Sequence, residues 1–526
     1  MIKNKFAIVT ALLCGLVCPF VNAQKHTKHI AAKGEIIYHI FQRSFYDSNG
    51  DQHGDLTGIR LKLDYLQQLG VTAILLTPLY ESVFYHNYFS GDFKKIDPRY
   101  GTMQDYLRLV KELHRRGMKF YMDMETQYVT EDHTWWKEGI NNPKSKYADY
   151  IIYDDAAHTK PSSIVYGVNG LLGYDSVFRK ITTVNLNSLK VLDYNYRLFK
   201  FWMDPNSDGK FDDGVDGFRL DHMMNNLDNK GLMPHLFNTF WNPLINKLRR
   251  VNPKINIVAE QANWASFGVD YLTHGGVDRV FDFRLAYAIR SFEKSQITSA
   301  ADSTFILTPA GKQQVVFLEN HDTPRFSFGV KGDIAKLKVG AALNLLLGGI
   351  PAIYYGQELG MTGNSGKFGA TDANEIPDRQ AFEWYASDQG KGMAYWYKLK
   401  GPWKDKFNDD KPNDGISLEE EINDPNSLWN FYHTMIGLRK LNPVIIKGAY
   451  KTLTNNKDKV FSFERAEGNK KVIVVVNLSD KDQETTVQLT GNAAGIKTLY
   501  GNGQPEISEH TIKVKLAAYN VEVWAL

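Results

Sequence analysis

The chain has 526 residues, enough for one large domain with smaller attachments or for three medium ones. Its hydrophobic content of 43% is ordinary for a globular protein, and a formal net charge of +3 is too small to argue for nucleic acid or an anionic membrane as partner. Aromatic residues, at 13%, are abundant enough to furnish sugar-stacking surfaces as well as a core.

Residues 1–23 read as an export signal. Lys3 and Lys5 precede the apolar stretch FAIVTALLCGLVCPF, and Val21-Asn22-Ala23 suits a signal peptidase. Both cysteines, Cys14 and Cys18, fall inside this segment, in surroundings that fit lipid attachment poorly. Cleavage then leaves an exported chain, periplasmic or secreted, with no disulfide. No later apolar run is long enough to span a bilayer, so no membrane contact is expected after cleavage.

From about Glu35 to Gly360 short apolar runs of β type alternate with amphipathic helical ones. EIIYHIF is followed by IRLKLDYLQQLG, where Ile59, Leu63, Leu66 and Leu69 share one helical face. Next come VTAILLTPL, the helix DYLRLVKELHRRG and MKFYMDM, then GVDGFRLD, INIVAE, VDRVFDF, QVVFLEN and PAIYYGQEL. Eight such strands predict an α/β fold, a closed (β/α)8 TIM barrel spanning 34–126 and 191–442. The polar stretch 127–190 is too long for one loop and one helix and reads as a small domain inserted after strand 3. A second insertion, about 361–425, follows the eighth strand. After Pro443 short alternating strands predict a separate antiparallel β-sandwich over 443–526.

Three runs end in a carboxylate, at Asp221, Glu260 and Asp322, and the C-terminal strand ends of a barrel meet at one rim where active sites are built. Side chains alternate along a strand, so Gly217, Arg219 and Asp221 share a face. A cation beside Asp221 is expected to lower its pKa. Glu260, on a strand without a comparable charge, is expected to stay protonated by partial desolvation. One ionised and one protonated carboxyl flanking a bond is the arrangement of a retaining glycosidase. The bland alternative for Arg219–Asp221 is a structural ion pair at the barrel mouth.

GFRLDHM, IVAEQ and FLENHDTPR, with GDLTGI, LTPLYES, IDPRYG and GIPAIYYGQELGM in matching order, closely resemble landmarks of the α-amylase family, glycoside hydrolase family 13. The resemblance runs from about Glu35 to Leu441. It implies Asp221 as nucleophile, Glu260 as acid/base and Asp322 as the residue holding sugar hydroxyls while the ring distorts. It further implies that Arg219 supports Asp221, that His321 binds hydroxyls in the subsite before the cleaved bond, and that Tyr88 stacks on that sugar with Asp92 as a polar neighbour. Where the family usually reads Asp-x-x-x-Asn-His, this chain reads DMETQY. Asp123 is kept, Gln127 replaces the calcium-binding asparagine and argues against that calcium, and Tyr128 replaces the sugar-binding histidine, with His86 and His133 as other substitutes. His222 stands where α-1,6-acting members usually carry valine, which favours α-1,4 bonds in an α-glucan such as starch, maltodextrins or cyclodextrins.

Two loops carry oxygen ligands at the alternate positions that suit Ca2+. DSNGDQHGD offers Asp47, Asn49, Asp51, Asp55 and the carbonyl of His53, and DPNSDGKFD offers Asp204, Asn206, Asp208, Asp212 and the carbonyl of Lys210. Neither has the distal glutamate of an EF-hand. The first also resembles a calcium loop of some family members. Both are expected to be structural. The nearest rival function is a transglycosylase or an α-1,6- or exo-acting relative. A non-catalytic glucan-binding protein is disfavoured by the presence of all three acids.

Overall fold

A computed structural model describes residues 34–227, 230–387, 389–407, 411–492 and 495–526; the export segment and both cysteines lie outside the described residues. All eight apolar runs become parallel strands: β1 (Ile37–Ile40), β2 (Ala73–Leu76), β3 (Lys119–Met124), β4 (Gly217–Leu220), β5 (Asn256–Ala259), β6 (Arg279–Phe281), β7 (Gln313–Val316) and β8 (Ile350–Tyr354). They close into a barrel in the order β1-β8-β7-β6-β5-β4-β3-β2, each strand beside its sequence neighbour. The strands are apolar on both faces because helices cover the outside while side chains fill the inside. Ile37, Leu75, Val258, Phe281, Val315 and Ile350 pack in the interior. Gly217 has to be a glycine, since a Cβ there would lie 2.4 Å from the Tyr121 ring.

The floor of the barrel is polar. Glu35 accepts from Tyr121 Oη at 2.9 Å, from Lys119 Nζ at 2.8 Å and from Arg279, which forks across both carboxylate oxygens. Burial pushes the Glu35 carboxyl up, but Arg279 and Lys119 outweigh it and bring it down to about 2.

The single helix expected over IRLKLDYLQQLG divides at Lys62 into Leu56–Leu61 and Leu63–Leu69, and Ile59, Leu63, Leu66 and Leu69 are nonetheless all buried. After β3 the chain leaves the barrel to form a three-stranded antiparallel sheet of Tyr128–Thr130, Gly170–Leu172 and Phe178–Thr183, and helix Leu189–Met203 brings it back. The stretch after β8 is built of short turns, including the 3-10 segment Asp372–Arg379, and leads to helix Leu428–Leu441. Strands do not begin directly at Pro443: Pro443–Lys447 makes one more helical stretch, which a proline in the first turn favours.

Beyond it, a five-stranded and a three-stranded antiparallel sheet pack together. Strand Lys470–Asn477 explains its own unbroken apolar run. Val472, Val474 and Val476 join the core shared with the barrel, while Ile473 and Val475 meet Val487, Ile512 and Val514 of the smaller sheet. Two buried arginines meet the C-terminal end of helix Ile334–Leu346, one from the barrel's last helix and one from the sandwich. Arg439 donates to the carbonyls of Leu345 and Gly349, both at 2.7 Å, and Arg465, from strand Val460–Glu467, donates to that of Leu347 at 3.1 Å. The last carbonyls of a helix lack intrahelical partners and carry partial negative charge, so two cations suit them. Among the described residues no helix is long and apolar enough to cross a membrane.

Candidate active site

Strand register sets the site. β3 and β4 pair with Asp123 opposite Arg219 and Met124 opposite Leu220, and Asp221 N continues the ladder to the Met124 carbonyl. Alternation turns Asp123 and Arg219 inward as one layer, with Glu125 and Asp221 as the next layer towards the rim. On β5, Val258 lies opposite Arg219, so Glu260 stands in the same upper layer as Asp221.

Arg219, fully buried, is the hub. Its Nη1 bonds Asp123 Oδ2 at 2.7 Å and also Asp221 Oδ1, and its Nη2 bonds Glu260 Oε2 at 2.9 Å. Asp221 and Glu260 therefore flank one guanidinium. Glu260 also accepts from His222 N at 3.0 Å and from Trp264 Nε1 at 3.2 Å. Burial pushes the Glu260 carboxyl up, Arg219 opposing, so it favours the protonated form. Asp221 departs from expectation. Arg219 does pull its carboxyl down, but burial outweighs that pull and the net direction is upward. The guanidinium is divided among three carboxylates, and the neighbouring acids add repulsion.

On the other wall, the Tyr88 hydroxyl donates to Asp123 Oδ2 at 2.7 Å and lies 2.6 Å from His321 Nε2, and the two rings stack at 5.2 Å, 9° from parallel. His321 Nε2 is also 3.0 Å from Asp322 Oδ2. Arg379 donates to Asp322 Oδ1 at 3.0 Å and to the His321 carbonyl at 2.8 Å. Burial alone would raise Asp322, yet His321, Arg379 and Arg219 overcome it and hold the carboxyl well below the usual range. The open cleft above has a volume of about 540 Å³ and is lined by Tyr88, Tyr128, Asp221, His222, Glu260 and Asp322, among others.

Tyr128 and His222 do meet, Oη to Nδ1 at 3.4 Å. His86 lines the cleft too, whereas His133 caps helix Thr134–Gly139, its Nδ1 accepting from the Trp135 amide. Gln127 is committed to the backbone: its Nε2 donates to the carbonyls of Asp221 at 2.7 Å and His222 at 3.2 Å. The amide thus ties the segment after β3 to the loop after β4. Asp92 does not reach the cleft; it begins strand Asp92–Ile96, which pairs with Tyr80–Glu81, and its Oδ2 pairs with Lys95 Nζ at 3.4 Å.

Both oxygen-rich loops lie away from this cleft. In the first, Asp47 accepts from the amides of Asn49, Gly50 and Gln52, Asn49 from Asp51, Asp51 from His53, and Asp55 caps helix Leu56–Leu61. In the second, Asp204 accepts from Asp208 and Gly209, and Asn206 from Asp208. Asp208 accepts from the Lys210 amide, and its Oδ2 pairs with Lys210 Nζ at 3.0 Å. Asp213 also turns its carboxylate to this loop, accepting from Asn206 N at 3.2 Å, and the Asp212 carbonyl takes His114 Nδ1. Among the described residues no three His, Cys, Asp or Glu side chains are gathered around a common metal position.

Glu125, Trp264 and Arg379 were not foreseen from sequence. Glu125 had a legible signal, lying two residues past Asp123 as Asp221 lies two past Arg219. Arg379 sits in the insertion after β8, with no strand to place it.

The family model described as alpha amylase, catalytic domain, matches residues 39–448, and that of the alpha-amylase SusG C-terminal domain matches 460–521. Alpha-amylase 3 of Dictyoglomus thermophilum is 28% identical over 85% of this chain and 85% of its own length. An oligo-1,6-glucosidase of Parageobacillus thermoglucosidasius is 27% identical, covering 85% of this chain and 90% of its own. The crystal structure of an alpha-amylase from H. orenii superposes with a TM-score of 0.77 at 27% identity, covering 94% of this chain and 99% of that one.

Proposed function

The chain belongs to the α-amylase family of glycoside hydrolases, and from that premise we propose that it cleaves α-1,4 bonds in starch, maltodextrins or cyclodextrins with retention of configuration. The observation carrying this reading is the single guanidinium of Arg219 held between Asp221 and Glu260. A guanidinium's width brings two carboxyls to the scale of the ~5 Å separation that retaining glycosidases use, too close to admit a water between nucleophile and sugar.

Asp221 attacks the anomeric carbon while Glu260, protonated, hands its proton to the departing glycosidic oxygen. A glycosyl ester on Asp221 results. Glu260, now ionised, takes a proton from water as that water attacks the same carbon, which restores both carboxyls. Asp322, fixed as an anion by Arg379 and His321, accepts from the sugar's hydroxyls, and the Tyr88–His321 stack forms a wall against its ring. Reducing-sugar release from soluble starch, pullulan and cyclodextrin, with the product anomer read by NMR, tests this. Release from none of them, or an inverted product, overturns it.

Preference for α-1,4 rests on His222, which touches both Glu260 and Tyr128 beside the cleaved bond. The second reading, α-1,6 cleavage or glycosyl transfer, draws on the oligo-1,6-glucosidase relatives; chromatography of products from maltooligosaccharides and isomaltose separates the two.

We also propose that the first loop takes Ca2+. Its donors are five hard oxygens around a tight turn, and Asp55, raised by burial, is raised further by the like charge of Asp47, a repulsion that a divalent cation relieves. The second loop fits less well, because the Lys210 ammonium already pairs with Asp208 and Asp213, outside the expected ligand set, takes the Asn206 amide. Residues 1–23 we propose to direct export and be removed, which N-terminal sequencing of extracytoplasmic protein checks.

A further inference from the structure

Glu125 is a buried acid with no cation of its own. It follows β3 directly, and its backbone is pinned on both sides by Tyr80, whose hydroxyl donates to the Glu125 carbonyl at 2.7 Å and accepts from its amide at 3.1 Å. One carboxylate oxygen, Oε1, accepts from Gln127 N. The other, Oε2, is buried without a protein donor. Next to it in the same barrel layer stands Asp221, just past the end of the paired strand β4 and the charged group that acts on Glu125 most strongly. Seven carboxyls (Asp123, Glu125, Asp221, Glu260, Asp322, Asp372 and Glu375) line or underlie this cleft with two guanidiniums, Arg219 and Arg379. Such a cluster must retain protons, because like charges in contact cannot all ionise.

We propose that Glu125 is a positioning residue for the nucleophile: its Oε2 bears a proton and donates a hydrogen bond to the Asp221 carboxylate, fixing that carboxylate's orientation while sparing it a second negative neighbour. The proposal rests on the reading of Asp221 as nucleophile. It gives the orphaned oxygen a partner and resolves two facing acceptors into a donor and an acceptor. The groups facing Glu125 agree with this assignment. Asp221 on β4 and Asp123 on β3 are acidic, Tyr80 and Tyr128 are neutral phenols pushed well above their usual range by burial, and Arg219 is spent on three other carboxylates. Burial, with Asp221 beside it, pushes the Glu125 carboxyl well up.

The test compares wild type, E125Q and E125A on α-maltosyl fluoride and on maltooligosaccharides across pH. Fluoride departs without a proton from Glu260, so the fluoride profile isolates the nucleophile. A glutamine keeps a donor facing Asp221 and cannot ionise, so E125Q is expected to hold kcat within about threefold, whereas E125A is expected to lose roughly tenfold to a hundredfold in kcat with little change in KM. The sharper readout is the alkaline limb: wild type should lose fluoride turnover as Glu125 ionises, and E125Q should not. An alkaline limb that persists in E125Q belongs to another group, such as Asp123, and overturns the proposal. So does an E125A variant that matches wild type, or one altered in KM alone. A wild type inactive on both fluoride and glucans sinks the hydrolase reading and this proposal with it, while an active wild type matched by both variants sinks only the proposal. Thermal melts of the three proteins exclude misfolding.

Discussion

At the scale of single residues, the site works by dividing one charge among several acids. Arg219 serves Asp123, Asp221 and Glu260 together, so none receives its full stabilisation. In the proposed mechanism Asp221, though raised, has to be ionised to attack, and Glu260, also raised, has to be protonated. The acid limb of kcat/KM on maltooligosaccharides should therefore lie above the ordinary aspartate pKa of about 3.9, activity rising as Asp221 loses its proton and falling as Glu260 loses its own. A pH–rate profile with its acid limb at or below that value contradicts the burial argument. Replacing the acid, E260Q, should cost roughly 10²- to 10⁴-fold on starch but far less on a glucosyl fluoride. His222 has φ +46°, a left-handed backbone that a β-branched residue resists. H222V should consequently lower Tm more than H222N, in addition to any change in linkage preference. That Arg219, Asp221 and Glu260 gather at one rim was legible in the sequence because each ends or sits near the end of a strand, where period-two alternation dictates direction. Asp322, by contrast, lies in the loop beyond β7, where no alternation applies. The upward shift of Asp221 was not legible, since it depends on how many carboxylates converge on one guanidinium from different strands.

At the scale of elements, what was readable followed periodicity. Eight apolar runs became eight strands, and the inward stripe and outward stripe of Val472–Val476 served two different cores. Loops without a period were harder. DSNGDQHGD and DPNSDGKFD look alike in spacing, yet only the folded chain reveals that Lys210 turns back onto Asp208 and that Asp213 takes the Asn206 amide. Dialysis against a chelator should lower the Tm of the wild type, and the Asp47→Ala variant should start from that lower value and respond no further to chelator. An unchanged Tm, with no calcium in the dialysed or undialysed protein, removes the metal from the first loop. Arg379 and Asp92 make the same point in opposite directions: an irregular segment delivered an unforeseen site residue, and a short strand carried an expected one away.

At the scale of the molecule, stability rests on buried charge at one end of the barrel and on caps at its side. Glu35, held at about 2 in the fold, contributes stability that is fully present above its unfolded pKa of about 4.3 and is lost as pH falls towards 2. Arg279→Met removes its main partner and should cost about 3 kcal/mol in urea unfolding at neutral pH, with a smaller loss at acid pH where Glu35 is protonated in either protein. The composition and the order of runs made the barrel and the sandwich readable, but not the seam between them. That seam includes Arg465, which with Arg439 of the barrel's last helix closes off the carboxyl end of a barrel helix lying about a hundred residues earlier in the chain. A barrel helix is therefore finished from outside the barrel. A chain cut ahead of Arg465 keeps Arg439 but leaves the Leu347 carbonyl without its guanidinium, and its midpoint in urea should fall below that of the full chain.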